Sequence, residues 1–194
     1  TAFASVTVTE NLTFTGTLDD TVATSVNNGV TLTTTAAKVT AKTLSGSGTV
    51  AVTALDATLA ADLSDVNSTT VTAAFDADGA FTGNLGNAVT TVAAAKTMTT
   101  TAAIADGKTI TGASDGSIEI TDLHLTPGAV LTGLTTGSGT VTAAFDGNAT
   151  FTGTIGSATV NVGDGFTFTS TVAKVTNETV TASGSGNIAV TDLH

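Results

Sequence analysis

The stretch 71–86 reads VTAAFDADGAFTGNLG, and further along 141–156 reads VTAAFDGNATFTGTIG. The displacement is the same at the far end, where GSIEITDLH closes at 124 and GNIAVTDLH at 194. A register kept without a gap over that interval marks an internal repeat. A more divergent copy comes first. FTGTL (14–18) matches FTGNL (81–85) and FTGTI (151–155), and TAAKVTAKT (35–43) matches TAAIADGKT (101–109) and TVAKVTNET (171–179). AVTALD (51–56) matches EITDLH and AVTDLH, and the first copy is shorter mainly at SGSGTV (45–50) against GASDGSI (112–118). The units fall at 1–66, 67–136 and 137–194. The third copy stops at TDLH where the second runs on into LTPGAVLTGLTTGSG. The expectation is an array that continues beyond it, in sequence or through a partner molecule.

Within a copy the pattern is short strands. Thr-apolar-Thr alternates at Thr31-Leu32-Thr33, Thr97-Met98-Thr99, Thr109-Ile110-Thr111, Thr150-Phe151-Thr152, Thr167-Phe168-Thr169 and Thr179-Val180-Thr181. Period two sets the threonines on one face and the apolar residue on the other. Turn signals separate these runs, among them Asn27-Asn28-Gly29, Asp78-Gly79, Asp106-Gly107, Asp115-Gly116 and Gly163-Asp164-Gly165. In the third copy the spacing predicts strand centres near 142, 151, 160, 168, 180 and 189. Helical periodicity is nearly absent. Leu55, Leu59 and Leu63 are the best helical set, but the matching stretch of the second copy carries Pro127-Gly128. The fold class is all-β. The favoured architecture is a β-solenoid of three ~70-residue repeats, each supplying about three rungs. Tandem β-sandwich or jelly-roll modules are the alternative. Small apolar residues, continuous strand spacing and no linker-like composition favour the solenoid.

Threonine supplies 47 of 194 residues, and the apolar set is mostly Ala and Val, so strands outcompete helices. Charged residues are 11%, less than half the roughly 25% of an ordinary soluble domain. Hydrophobic residues are 41%, enough to build a core rather than a disordered chain. Net charge is −11, and the five basic residues, all lysine, are scattered. That excludes the basic footprint of a nucleic-acid binder and disfavours anionic membranes. No apolar run reaches the roughly 18 residues of a spanning helix, so no membrane insertion is expected. The chain starts at Thr1 rather than Met, which predicts a processed or excised piece. With no cysteine, neither disulfides nor thiol chemistry is available.

Little in the sequence points to catalysis. The two histidines, His124 and His194, sit at one repeated position in TDLH, where the first copy has Asp56. A repeated position reads as a framework turn, and a nucleophile–base–orienter set is missing; the chain is expected not to be an enzyme. Calcium is the better metal candidate. Asp76 and Asp78 have the spacing that opens a calcium loop, and Asp146 and Asn148 repeat it. Such a loop offers two or three oxygens where calcium takes six to eight, and Asp, Asn and Gly are also ordinary turn residues. Asn11, Asn67, Asn148 and Asn177 lie in N-x-T sequons, which a threonine-rich chain produces by chance.

The Thr/Ala/Val/Gly-rich, acidic repeats resemble those of giant bacterial cell-surface proteins: adhesin stalks, S-layer-like proteins and extracellular filament subunits. The resemblance is compositional and covers the whole chain. It implies an extracellular or cell-surface structural role, as a stiff spacer or a subunit that self-associates with identical copies. The segment 2–16 is the candidate assembly strand, with Phe3, Val6, Val8, Leu12 and Phe14 alternating with polar residues and a phase change between Val8 and Leu12. The alternative is an ice-binding or adhesive binding module that uses the Thr-x-Thr strand faces. Thr-x-Thr rows resemble the ice-binding face of some flat solenoids, although such a face needs a regular row and the motif here recurs at irregular intervals. Carbohydrate platforms of Trp or Tyr are missing.

Overall fold

A computed structural model describes residues 5–19 and 22–193. The chain is all-β, with parallel stacked strands forming a β-solenoid of about nine turns. Sandwich modules would be antiparallel, whereas every pairing between the strands below is parallel. The chain forms two compact units, Thr1–Thr91 and Val92–His194. Their boundary falls inside the second repeat, so the repeat and the compact unit are different things.

In the first unit two parallel ladders run along the coils. One joins Ser5–Val8 to Ala23–Val26, then to the first halves of Leu44–Thr53 and Val66–Phe75. The other joins Leu12–Thr13 to Thr31–Thr35, then to the second halves of the same two long strands. In the second unit the main ladder stacks Thr97–Thr101, Ser117–Thr121, Val141–Phe145, Thr159–Val162 and Thr179–Ala182. A second joins Ala149–Thr150, Thr167–Thr171 and Asn187–Thr191, and a third pairs Ile110–Gly112 with Leu134–Thr136. The strand centres read from the third copy all fall on or beside these strands.

Alternation decides what enters the core. In Thr97–Thr101 and Thr167–Thr171 the second and fourth residues are buried and the threonines between them face outward. Phe145, Phe151 and Phe168 form a continuous aromatic cluster. Phe145 meets Phe168 edge-on at 4.9 Å, and Phe151 stacks on Phe168 at 5.8 Å. Each such ring, fully buried, contributes about 1.5–3 kcal/mol. The fourth position of the threonine strand is polar in every copy: Thr34, Thr100 and Ser170 are all buried. Ser170 satisfies its hydroxyl by donating to the Phe151 carbonyl at 2.9 Å, whereas Thr34 Oγ1 has no partner among the described residues.

The TAAKV segments form one-turn helices, which the strand pattern did not predict. They are α1 (Ala36–Val39), α2 (Ala102–Ala105) and α3 (Val172–Val175). One turn cannot persist alone; α1 and α2 are held by burying two apolar residues each at a corner of the coil. All three end on a left-handed residue, at Ala41, Gly107 and Asn177. In the second and third copies the glycine of the FTG motif has a packing reason. A Cβ at Gly83 would collide with the Ala61 carbonyl, and one at Gly153 with the Ala129 carbonyl. The backbone of the neighbouring coil passes where a side chain would stand.

Coil length varies while register does not. Thr97 pairs with Ser117, Ile118 with Val141, Thr142 with Thr159 and Thr159 with Thr179, so successive coils are unequal in length. The surplus is absorbed in corners. Three coils carry the chain from Glu119 through Thr142 and Thr159 to Thr179. One step of the repeat instead carries Glu119 on to Ala189. The repeat therefore overshoots three coils by about one strand and its corner. Thr97–Thr101 and Thr167–Thr171, equivalent in sequence, consequently lie in different ladders. From the second copy to the third, the repeat thus moves to another ladder.

Candidate functional site: threonine rows and coil-to-coil clamps

Two kinds of surface feature follow from this stacking. The first is rows of threonine. On the main ladder of the second unit, Thr99, Glu119, Thr142, Thr159 and Thr179 stack in register. Beside them, Thr101 stacks on Thr121 and Asn161 on Thr181. In the first unit Thr31, Thr49 and Thr70 form one row, and Thr13, Thr33, Ala51 and Thr72 the next. The motif is irregular along the chain yet aligned in space, because the corners take up the differences. Some hydroxyls bond across coils. Thr99 donates to Glu119 at 3.2 Å, Thr181 to Asn161 at 2.7 Å, and Thr111 and Thr135 lie 3.3 Å apart.

The second feature is a set of side chains that clamp one coil to the next. Thr31 N–H donates to Asn11 Oδ1 at 2.8 Å, and Thr167 N–H to Asn148 Oδ1 at 2.7 Å. Asp76 N–H donates to Asp56 Oδ1 at 2.9 Å, and Val130 N–H to Asp106 Oδ1 at 2.8 Å. One turn uses the device in opposite senses in two copies. Ala95 N–H donates to Asp115 Oδ1 on the following coil, whereas Ser185 N–H and Oγ both donate to Asp164 Oδ1 on the preceding one. These donations hold the Asp164 carboxyl below its ordinary value, the Ser185 backbone N–H more than the hydroxyl. Asp62 is lowered in the same way by the backbone N–H and then the hydroxyl of Ser64. Composition identified Asp and Asn as turn residues. It did not reveal that the side-chain oxygen reaches a backbone N–H on the adjoining coil; a polar turn residue recurring at coil spacing was the available signal.

The residues singled out from sequence divide accordingly. Asp76, Asp78, Asp146 and Asn148 all lie on turns at the surface. Asn148 is a clamp, and the Asp76 backbone is held by one. Among the described residues no group of three or more His, Asp or Glu side chains converges on a common point. His124 lies edge-on to Phe145, 6.2 Å away, with its Nδ1 buried and without a hydrogen-bond partner among the described residues. Of the assembly strand, Phe3 lies outside the described residues. Val8 is buried, Phe14 half-buried, and Val6 and Leu12 exposed. The phase change between Val8 and Leu12 is a coil corner between two strands. Among the described residues no helix is long and apolar enough to cross a membrane. Compared with family models, curated proteins and solved structures, the chain matches none.

Proposed function

We propose that this chain is a non-enzymatic structural repeat protein of a cell surface or extracellular fibre, acting as a stiff spacer that can self-associate. One observation carries the reading: within each unit apolar side chains are buried, parallel ladders join successive coils, and polar turn side chains reach the backbone of the neighbouring coil. Within each compact unit, coils braced against their neighbours in these three ways resist bending. The net charge of −11 keeps the surface soluble and repels other acidic surfaces. Two- and three-copy concatemers test the spacer role. Their maximum dimension in small-angle scattering should grow by a constant increment per copy. A dimension that levels off would sink the reading.

The aligned threonine rows favour one second reading, ice binding. Strands about 4.7–4.9 Å apart and side chains alternating along them at about 6.7 Å set hydroxyls and methyls on a flat two-dimensional lattice, the kind of array that orders water against a crystal face. Glu119, Ala144 and Asn161 interrupt it. Thermal hysteresis that disappears in Thr142→Tyr and Thr159→Tyr would establish this reading, and no hysteresis in the parent chain would remove it. Neither reading invokes calcium, and Asn148 Oδ1 serves as a coil clamp by accepting from Thr167 N–H. The melting temperature should be the same in chelator and in millimolar calcium. A rise with calcium would return Asp76, Asp78 and Asp146 to the account.

A further inference from the structure

We infer that Asn28 is a modification site. Attack by the Gly29 backbone nitrogen removes its side-chain amide, and the aspartate that results gives the first copy the coil-to-coil clamp that the third copy encodes as Asp164. Asn27-Asn28-Gly29-Val30, Ala93-Ala94-Ala95-Lys96 and Gly163-Asp164-Gly165-Phe166 are one turn in three copies. In each, the fourth N–H donates to the first carbonyl, at 3.1, 3.2 and 3.2 Å. The third residue has φ +74°, +56° and +79°, as a type II turn requires. The second and third residues are exposed in every copy, so exposure belongs to the turn itself.

The turn that faces it also recurs. It is Ser45-Gly46-Ser47-Gly48, Ala113-Ser114-Asp115-Gly116 and Ser183-Gly184-Ser185-Gly186. A Cβ at Gly48, Gly116 or Gly186 would collide with the carbonyl of Asn27, Ala93 or Gly163 respectively, so the two turns touch along their backbones in all three copies. Two copies place one acid in this contact. Asp115 Oδ1 accepts from Ala95 N–H at 2.7 Å, and Asp164 Oδ1 accepts from Ser185 N–H and Oγ at 2.6 and 2.8 Å. The first copy has none. Asn28 stands in the position of Asp164, and Ser47 in that of Ser185.

Asn28 is also the one asparagine in the sequence that glycine follows. Glycine has no Cβ to bar its nitrogen from the preceding side chain. Nothing lies within 4 Å of where a Gly29 Cβ would stand, so no packing holds the turn closed. The Gly29 nitrogen forms a bond to Asn28 Cγ, the Cγ–Nδ2 bond breaks, and the amide nitrogen departs as ammonia with the Gly29 proton. Water then opens the cyclic imide. Opening at Cγ gives aspartate on an unaltered backbone. Opening at the backbone carbonyl gives isoaspartate, with one methylene more in the main chain. The aspartate form keeps the turn, and its carboxylate faces Ser47 as Asp164 faces Ser185. Water is the only co-reactant.

Holding the full chain at pH 8 and 37 °C tests this, by intact mass and by peptide mapping that resolves aspartate from isoaspartate. Residue 28 should convert at least about tenfold faster than Asn67 or Asn161, whose following residues Ser68 and Val162 carry a Cβ. Gly29→Ala, a residue the turn already admits at Ala95, should slow the conversion by about tenfold. Asp164, also followed by glycine, should stay unchanged in the same digest, because an ionised carboxylate offers no leaving group. Asn28→Asp supplies the product directly. It should melt above the parent at neutral pH, with the gain reduced when Ser47→Ala is added, and circular dichroism verifies folding. Conversion at residue 28 no faster than at Asn67 and Asn161, or unaffected by Gly29→Ala, overturns the modification site. An Asn28→Asp chain no more stable than the parent overturns the clamp.

Discussion

Segments 101–123 and 171–193 are the same stretch of the repeat in two positions, and they differ chiefly in what lies over them. In the first, α2 buries Ala102 and Ala105, and Ile110, Ile118 and Ile120 are in the core. In the second, α3 buries nothing, and Val180 and Val190 are only half covered. Backbone geometry hardly changes. The left-handed residues recur at Gly107 and Asn177, Ser114 and Gly184, Asp122 and Asp192. Local conformation is thus written into each copy, while burial comes from the neighbouring coil. An apolar residue in this chain contributes to stability in proportion to how completely the adjoining coils enclose it.

The sharpest way to break the comparison is one deletion made twice. Ile118→Ala opens a cavity between two coils and should cost about 2–5 kcal/mol. Ile188→Ala, partly exposed, should cost less than about 1 kcal/mol. Urea unfolding of the two variants measures both, and equal losses would show that the last coil is covered in solution.

A smaller effect should appear at position 95. Ala95 has φ +56°, where the other copies place Gly29 and Gly165 at φ +74° and +79°. A Cβ in that region costs about 1–2 kcal/mol. Glycine also loosens the unfolded chain by roughly 0.4–1 kcal/mol. The N–H that donates to Asp115 is kept, so Ala95→Gly should stabilise the chain by about 0–1.5 kcal/mol. A loss of stability in thermal melts would show that the alanine methyl packs usefully.

The smallest effect concerns the clamps. Asp164 has a lowered folded pKa, so its contribution is present above the unfolded value and disappears as pH falls through the folded one. The parent chain should lose stability on acidification below about pH 4. Asp164→Asn keeps an acceptor oxygen for Ser185 and should flatten that acid limb while changing neutral-pH stability little. Melts from pH 7 to pH 2 check it; an unchanged slope would mean the clamp does not distinguish charged from neutral oxygen.

Much of this was legible in the chain's own pattern. Alternation of threonine with apolar residues, glycine-rich turns and a long, gapless internal period led to strands, their centres and a solenoid. The one-turn helices were not legible, because TAAKV is too short to show a helical period and is held by tertiary burial. The clamps were not legible either. Asn11 and Asn148 look like sequons or turn residues until the coil brings Thr31 and Thr167 beside them.

What the sequence by itself determined is the local alphabet: which residues extend, which turn, which face inward, and that the pattern occurs three times. Period-two sterics and glycine torsions act within a few residues, so they can be read locally. Only the tertiary structure decided which face each copy occupies and which apolar residues are covered. Those depend on a mismatch of lengths: one repeat carries Glu119 to Ala189, whereas three coils carry it only to Thr179. That mismatch moves the third copy onto a different ladder from the second and lines up threonines from both. It is a property of stacking, which no single stretch of chain contains.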